Sequence, residues 1–295
     1  MKKITLLLGL LLLLPLASAQ DVQVSLYLLN LGKFDVSTGA FTADFYLDFK
    51  CSESCDNLDF EFMNGRAASL EQTIDKPKEQ FYRIQANLNS PVNLKGFPFD
   101  QQKMEIILED KDDVYEKIRF LPLKKESGID ESIVFTGWNI DGWEAKSRKH
   151  NYDIYGETYS QFIFAVNISR IALSSFFKTF LPIFFIVLVV VFSFILDPDK
   201  ITTRLGMAGS SLVAAVMFHV SINNQIPPVG YLTFADKVMV LTYFVLLSCF
   251  VINIALLELM EKKKDHLVEK LHRRTEYLMF IIVPLLYVIL FWWMM

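Results

Sequence analysis

Residues 180–196 read FLPIFFIVLVVVFSFIL, an apolar run of 17 positions without a charge. A helix rises about 1.5 Å per residue, so about 20 such residues cross the hydrocarbon core of a bilayer. Leu173 to Thr179, around Lys178, lengthens the run upstream. Three comparable runs follow, at 205–222, 238–257 and 277–295. A charged, mixed segment precedes all four. The fold class expected from this order is an immunoglobulin-like antiparallel β-sandwich followed by a four-helix transmembrane bundle. The helices are expected near 173–196, 201–223, 232–258 and 275–295, with a loop at 259–274.

The first 19 residues have the pattern of a secretory signal: Lys2 and Lys3, the apolar stretch Ile4–Leu16, then Ala17-Ser18-Ala19. An uncleaved anchor helix is the alternative. Export of residue 20 onward makes the four helices run in, out, in and out. Lys262, Lys263, Lys264, Lys270, Arg273 and Arg274 then fall on the cytoplasmic side, where the positive-inside rule requires them. The expected location is the plasma (inner or cell) membrane.

Residues 20–171 read as the exported domain. Val22, Val24, Leu26 and Leu28 alternate with other residues, as do Phe41, Ala43, Phe45, Leu47 and Phe49. Asp35-Val36-Ser37-Thr38-Gly39 separates them as a turn. Further strands are expected at 58–63, 80–88, 102–109, 115–121, 133–146 and 158–170. Residues 21–170 hold 25 acidic and 17 basic side chains, a net of −8, which is no footprint for nucleic acid. Cys51 and Cys55 could close a small disulfide loop in an exported domain. No histidine cluster joins them, so no metal site is expected. Asp110, Asp112 and Asp113 around Lys111 read as a solvated turn or a weak calcium attractor. His150 is the one histidine before the helices and no phosphate-cradling glycine loop occurs. No enzyme and no cofactor is therefore expected.

The second apolar segment carries a pattern of its own. Thr203, Gly206, Ser210, Val213, Met217, Val220 and Asn224 are spaced 3, 4, 3, 4, 3 and 4, one helical seam. Its inner half is small or polar, its middle apolar. Such a stripe suits a helix lining a water-filled pore, with an apolar ring gating by dewetting. Close packing between helices would use the same small residues, and the stripe alone leaves both open. His219, an ionisable group inside the membrane, lies beside the stripe and is a candidate proton sensor or a structural histidine.

Beyond these patterns, Phe97-Pro98-Phe99-Asp100-Gln101 resembles the signature loop of the pentameric ligand-gated ion channels, the Cys-loop receptor family. Tyr27-Leu28-Leu29-Asn30, Asp35 and Phe45 resemble its first two strands. Trp138 and Trp143 flank a segment like its eighth-to-ninth strand region. Arg170 and Pro182 match residues at its first helix, and Arg204-Leu205 opens the second as in bacterial members. Ile226-Pro227-Pro228-Val229-Gly230-Tyr231-Leu232-Thr233 resembles their linker to the third helix. The absence of cysteines flanking the signature loop is similar to the prokaryotic branch.

The resemblance implies a homopentamer in which each chain has four identical partners, a lipid bilayer around it and small ions passing through. Asp35, Asp100 and Arg170 would form a buried charge cluster that, with Pro227 and Pro228, couples the domains. Asp199 and Arg204 would stand at the inner mouth of a cation-selective pore. Phe62, Tyr82, Tyr152, Tyr155 and Tyr159 are the candidate ligand-binding aromatics, for an unknown small-molecule agonist; protons are the other candidate. The alternatives are an anion channel of the same family and a non-conducting membrane sensor built on a sandwich binding module.

Overall fold

The structure, a computed structural model, describes residues 19–294. Residues 1–18 of the expected signal segment lie outside them. Contacts divide the chain into two compact units. The first comprises most of the chain up to Ile168; the second comprises 92–102, 137–139 and 169 onward. The boundary is thus not a single point near residue 171.

The first unit is built of two sheets. Strands β1 (Gln20–Leu31), β2 (Ala40–Cys51), β4 (Gly65–Lys76), β5 (Glu79–Asn89) and β7 (Ile118–Pro122) are ordered β4-β5-β2-β1-β7, with the short β8 (Gly128–Ile129) also on β1. Strands β3 (Phe60–Phe62), β6 (Gln101–Asp110), β9 (Trp138–Tyr152) and β10 (Glu157–Arg170) are ordered β3-β6-β10-β9. The expected antiparallel pairing holds for β1–β2 and β2–β5, but β1 pairs with β7 and β8 in parallel. Alternation explains the sandwich: Val22, Val24, Leu26 and Leu28 are all fully buried, as are Phe45, Leu47 and Phe49. The sheets meet through aromatic rings, with Phe49 and Phe60 at 5.1 Å and Phe45 and Phe62 at 6.0 Å. Turn 35–39 closes on Gly39, whose φ of 75° suits a residue without a side chain.

Cys51 and Cys55 are bonded, with Cα atoms 5.6 Å apart. The loop they close holds the β4–β5 turn. Cys51 and Cys55 amides donate to Lys78 and Pro77 carbonyls, and Gln80 Nε2 donates to Cys55 O at 3.0 Å.

The helices of the second unit are α1 (Ala172–Ser193), α2 (Ile201–Asn223), α3 (Phe234–Glu261) and α4 (Asp265–Met294). All four are long and apolar enough to span a membrane. Phe184, Ile281 and Val288 expose 57%, 65% and 64% of their surface; a water-soluble protein would bury such side chains. The chain is a multi-pass membrane protein. Thr233 and Asp236 start α3 as a reciprocal capping box.

Two expectations on the elements are corrected. Helix α4 begins at Asp265, not near 275, so the loop shrinks to residues 262–264. The charged first turns of α4 are amphipathic: Val268 packs with Ile201 and Leu256, and Leu271 lies against them. Strand β4 was not expected at all. Residues 66–73 are exposed on both faces, because β4 is an edge strand with β5 as its neighbour in the sheet.

Candidate functional site

Helix α2 separates its residues sharply. Ile201, Arg204, Ala208, Ser211, Ala215 and Ile222 are buried. Thr203, Gly206, Ser210, Val213, Met217, Val220 and Asn224 are all exposed. Val213, Met217 and Val220 expose 64%, 66% and 52% despite being apolar. The seam therefore faces away from the interior of its own four-helix unit. Close packing within the chain does not account for it. Thr202 and Val216 widen this free face on one flank, Ala214 and Ser221 on the other.

At the foot of α2, Asp199 is exposed in the turn Pro198–Lys200. Arg204 is not an exposed mouth residue. It is fully buried, its guanidinium 4.6 Å from the Phe194 ring centre and its Nη1 3.5 Å from His272 Nδ1. Arg204 falls one position after Thr203, and on a helix that turns it from the free face to the packed one.

The signature loop joins the helical unit through its backbone and its charge. Arg170 Nε donates to Asp100 Oδ1 at 2.5 Å, and the Arg170 amide donates to Asp100 O. Asp100 Oδ2 accepts from Gln102 Nε2 at 2.7 Å. The guanidinium lies over Trp138 at 4.5 Å and near Phe97 at 5.1 Å. The Phe97–Pro98 peptide is cis. Phe99 stacks near Phe180 and Phe234, and the Phe234 and Ala235 amides donate to Lys95 and Phe97 carbonyls. Leu94 N donates to the Tyr231 hydroxyl at 2.9 Å, which ties the loop to the segment holding Pro227 and Pro228. Tyr231 and Gln102 were not among the expected coupling residues. Both bonds join positions remote in sequence or hidden in the loop's own turn, and neither leaves a local signal.

Asp35 departs from the expected buried cluster. It is exposed, and its carboxylate accepts from the Ser37 amide and hydroxyl and from the Thr38 hydroxyl. Those bonds within its own turn hold its carboxyl below the ordinary range.

His219 faces α3 rather than the stripe. Its Nε2 is 3.1 Å from Asp236 Oδ1 and its Nδ1 is 3.0 Å from the Tyr243 hydroxyl. An ionised carboxylate only accepts, so the Nε2–H donates to Asp236; towards Tyr243 a neutral ring accepts and a protonated ring donates.

The aromatic candidates for a ligand divide. Tyr82 is 7% exposed, packs on Phe49 and Phe60, and donates its hydroxyl to Gln80. Phe62 packs on Phe45 and Phe60. Tyr82 belongs to the sandwich core, and Phe62, half-buried, packs against it. Tyr152, Tyr155 and Tyr159 instead gather at the β9–β10 hairpin. Tyr155 is 74% exposed, and the rings of Tyr152 and Tyr159 lie 5.6 Å apart.

No protein-family model matches the chain. Over 162 residues, 55% of its length, it is 24% identical to a proton-gated ion channel of Gloeobacter violaceus. Over 177 residues, 59% of its length, it is 23% identical to ligand-gated ion channel 50 of Caenorhabditis elegans. The chain spans less than half of either relative, 44% and 35%. Both relatives are ion channels, and the chain carries a strand-built unit followed by four membrane-length helices. The chain is similar in sequence to a proton-gated and a ligand-gated ion channel.

Proposed function

We propose that the chain is one subunit of a homopentameric, ligand-gated, cation-conducting channel, with α2 lining the pore. The observation that carries this reading is the seam on α2. Seven residues at alternating three- and four-residue spacing are exposed, although the helix belongs to a packed four-helix unit. Five such faces around an axis would enclose water along Thr203, Gly206 and Ser210, and constrict it at Val213 and Met217. Asp199, exposed at the foot of α2, would supply a carboxylate ring at the inner mouth. The −8 charge of residues 21–170 would raise the local cation concentration.

In this reading residues 20–171 lie outside a cell membrane and 262–264 inside it. An agonist acts near Tyr152, Tyr155 and Tyr159. The Asp100–Arg170 pair and the Leu94–Tyr231 bond pass the change to the 224–233 segment and so to α2. Protons are the second candidate stimulus, supported by the proton-gated relative and by His219 between two helices.

Purified protein in liposomes tests this directly. Cysteines placed singly from 203 to 224 are expected to react with a water-soluble thiol reagent at 203, 206, 210, 213, 217, 220 and 224. Positions 204, 208, 211, 215 and 222 are expected to stay unreactive. Currents under a salt gradient are expected to reverse near the cation equilibrium potential. Labelling without that rhythm overturns the pore, and reversal at the chloride potential overturns the selectivity.

A further inference from the structure

Glu109 is the most enclosed carboxylate on the outer face of the second sheet, with 3% of its side chain exposed. All four strands of that sheet meet around it. Glu61 of β3 is its cross-strand neighbour in register. Gln161 of β10 donates its Nε2 to Glu109 Oε1 at 2.5 Å. His150 of β9 places Nδ1 2.5 Å from the same oxygen, and the Tyr152 hydroxyl of β9 donates to Oε2 at 3.1 Å. Arg148 of β9 donates to Gln161 Oε1 and completes the ring of contacts. Further along this face Lys103, Glu105, Glu144 and Lys146 form a separate network.

The cluster combines carboxylates, a phenol, a guanidinium and one imidazole. Tyr152 stays protonated, because burial beside Glu109 pushes its hydroxyl up to about 12. Arg148 is always a cation. Histidine is the side chain that ordinarily titrates between about pH 5 and 8. His150 keeps 35% of its side chain exposed, so protons reach it, while its partner is buried. The remaining histidines, His219, His266 and His272, all belong to the helices.

We propose that Glu109 and His150 form a proton-operated latch that fastens the β9–β10 hairpin to β6. With His150 charged, the contact is an ion pair in a poorly hydrated place. With it neutral, the charge–charge attraction is lost and the contact keeps only the hydrogen bond to the carboxylate. Glu61, directly opposite Glu109, adds a second negative charge that the imidazolium offsets. The hairpin carries Tyr152 and Tyr159 at its roots and the exposed Ile154 and Tyr155 at its tip. Acid therefore holds these aromatics in one position, and alkali frees them. Any effect on gating rests on the proposed channel function; the latch itself does not.

Hydrogen exchange on the full-length protein in detergent tests the latch without requiring conduction. After correction for the intrinsic pH dependence of exchange, amides 151–159 are expected to exchange about five- to tenfold faster at pH 8 than at pH 5.5. His150→Gln keeps a donor but cannot charge, and is expected to exchange equally at both values. Glu109→Gln removes the anion and is expected to abolish the pH dependence as well. Equal protection of the parent at both values, or a pH dependence that survives His150→Gln, overturns the proposal. Currents recorded after the same protein is reconstituted into liposomes report on conduction separately.

Discussion

Arg170 grips Asp100 twice, through Nε on Oδ1 at 2.5 Å and through its amide on the Asp100 carbonyl. The carboxylate is 1% exposed and the guanidinium 21%. A buried anion with its one cation removed has neither water nor counter-charge. Arg170→Gln is therefore expected to destabilise the protein by about 3 kcal/mol. Asp100→Asn with Arg170→Gln is expected to cost less than the sum of the two single changes. Melting of the detergent-solubilised variants reads this as a double-mutant cycle, and additive losses would contradict it.

Val213 exposes 64% of its surface at the middle of the α2 seam. In the proposed pore an apolar ring there resists wetting when the channel is closed. Val213→Ser is expected to raise the unstimulated ion flux into liposomes about tenfold, a gating bias of ~1.4 kcal/mol. Ser211→Ala, on the buried face of the same helix, is expected to leave that flux near the parent's. Parent-like flux from Val213→Ser would remove Val213 as the constriction.

Asp48 is 6% exposed, and its Oδ1 has no hydrogen-bond partner among the described residues. Burial pushes its carboxyl above the ordinary range; Lys50 at 3.6 Å opposes this, and Glu79 and Glu126 add to it. The native state then holds the proton more tightly than the unfolded chain. Stability is lost as pH rises through the window between the two values. Asp48→Asn is expected to melt higher than the parent at pH 7, and the gap is expected to shrink towards pH 4. A gap that widens in acid would reverse the assignment.

The Cys51–Cys55 loop is short, so chain entropy limits what its disulfide adds to about 2 kcal/mol. Replacing both cysteines with serine is expected to lower stability by that order and to free the β4–β5 turn held by Gln80. Melting with and without a thiol reductant measures it. The reductant should leave the double-serine variant unchanged.

Legibility in the sequence followed the physics of each element. The alternation of Val22 to Leu28 announced a one-sided strand, because period two puts every second side chain in the core. Strand β4 gave no such signal. Arg66, Ser69, Glu71 and Thr73 sit on an edge with water on both faces, and backbone pairing with β5 alone makes it a strand. The first turns of α4 were hidden likewise. Hydropathy reports the membrane-spanning run, whereas the helix continues below it wherever Val268 and Leu271 find apolar partners. Phe62 and Tyr82 look like Tyr155 in composition, and their ring contacts separate core from surface.

Four uncharged runs of membrane length, the cation-rich stretch 262–274 and the spacing of the α2 seam are local or periodic properties. Chain chemistry alone determines them. The folded chain decided what depends on residues far apart meeting. Arg204 turned inward on Phe194, Asp35 closed on its own turn, Tyr231 reached Leu94 and Glu109 gathered three other strands around it. A charge or a hydroxyl carries no record in sequence of which distant partner desolvates it, and only three-dimensional packing supplies that partner.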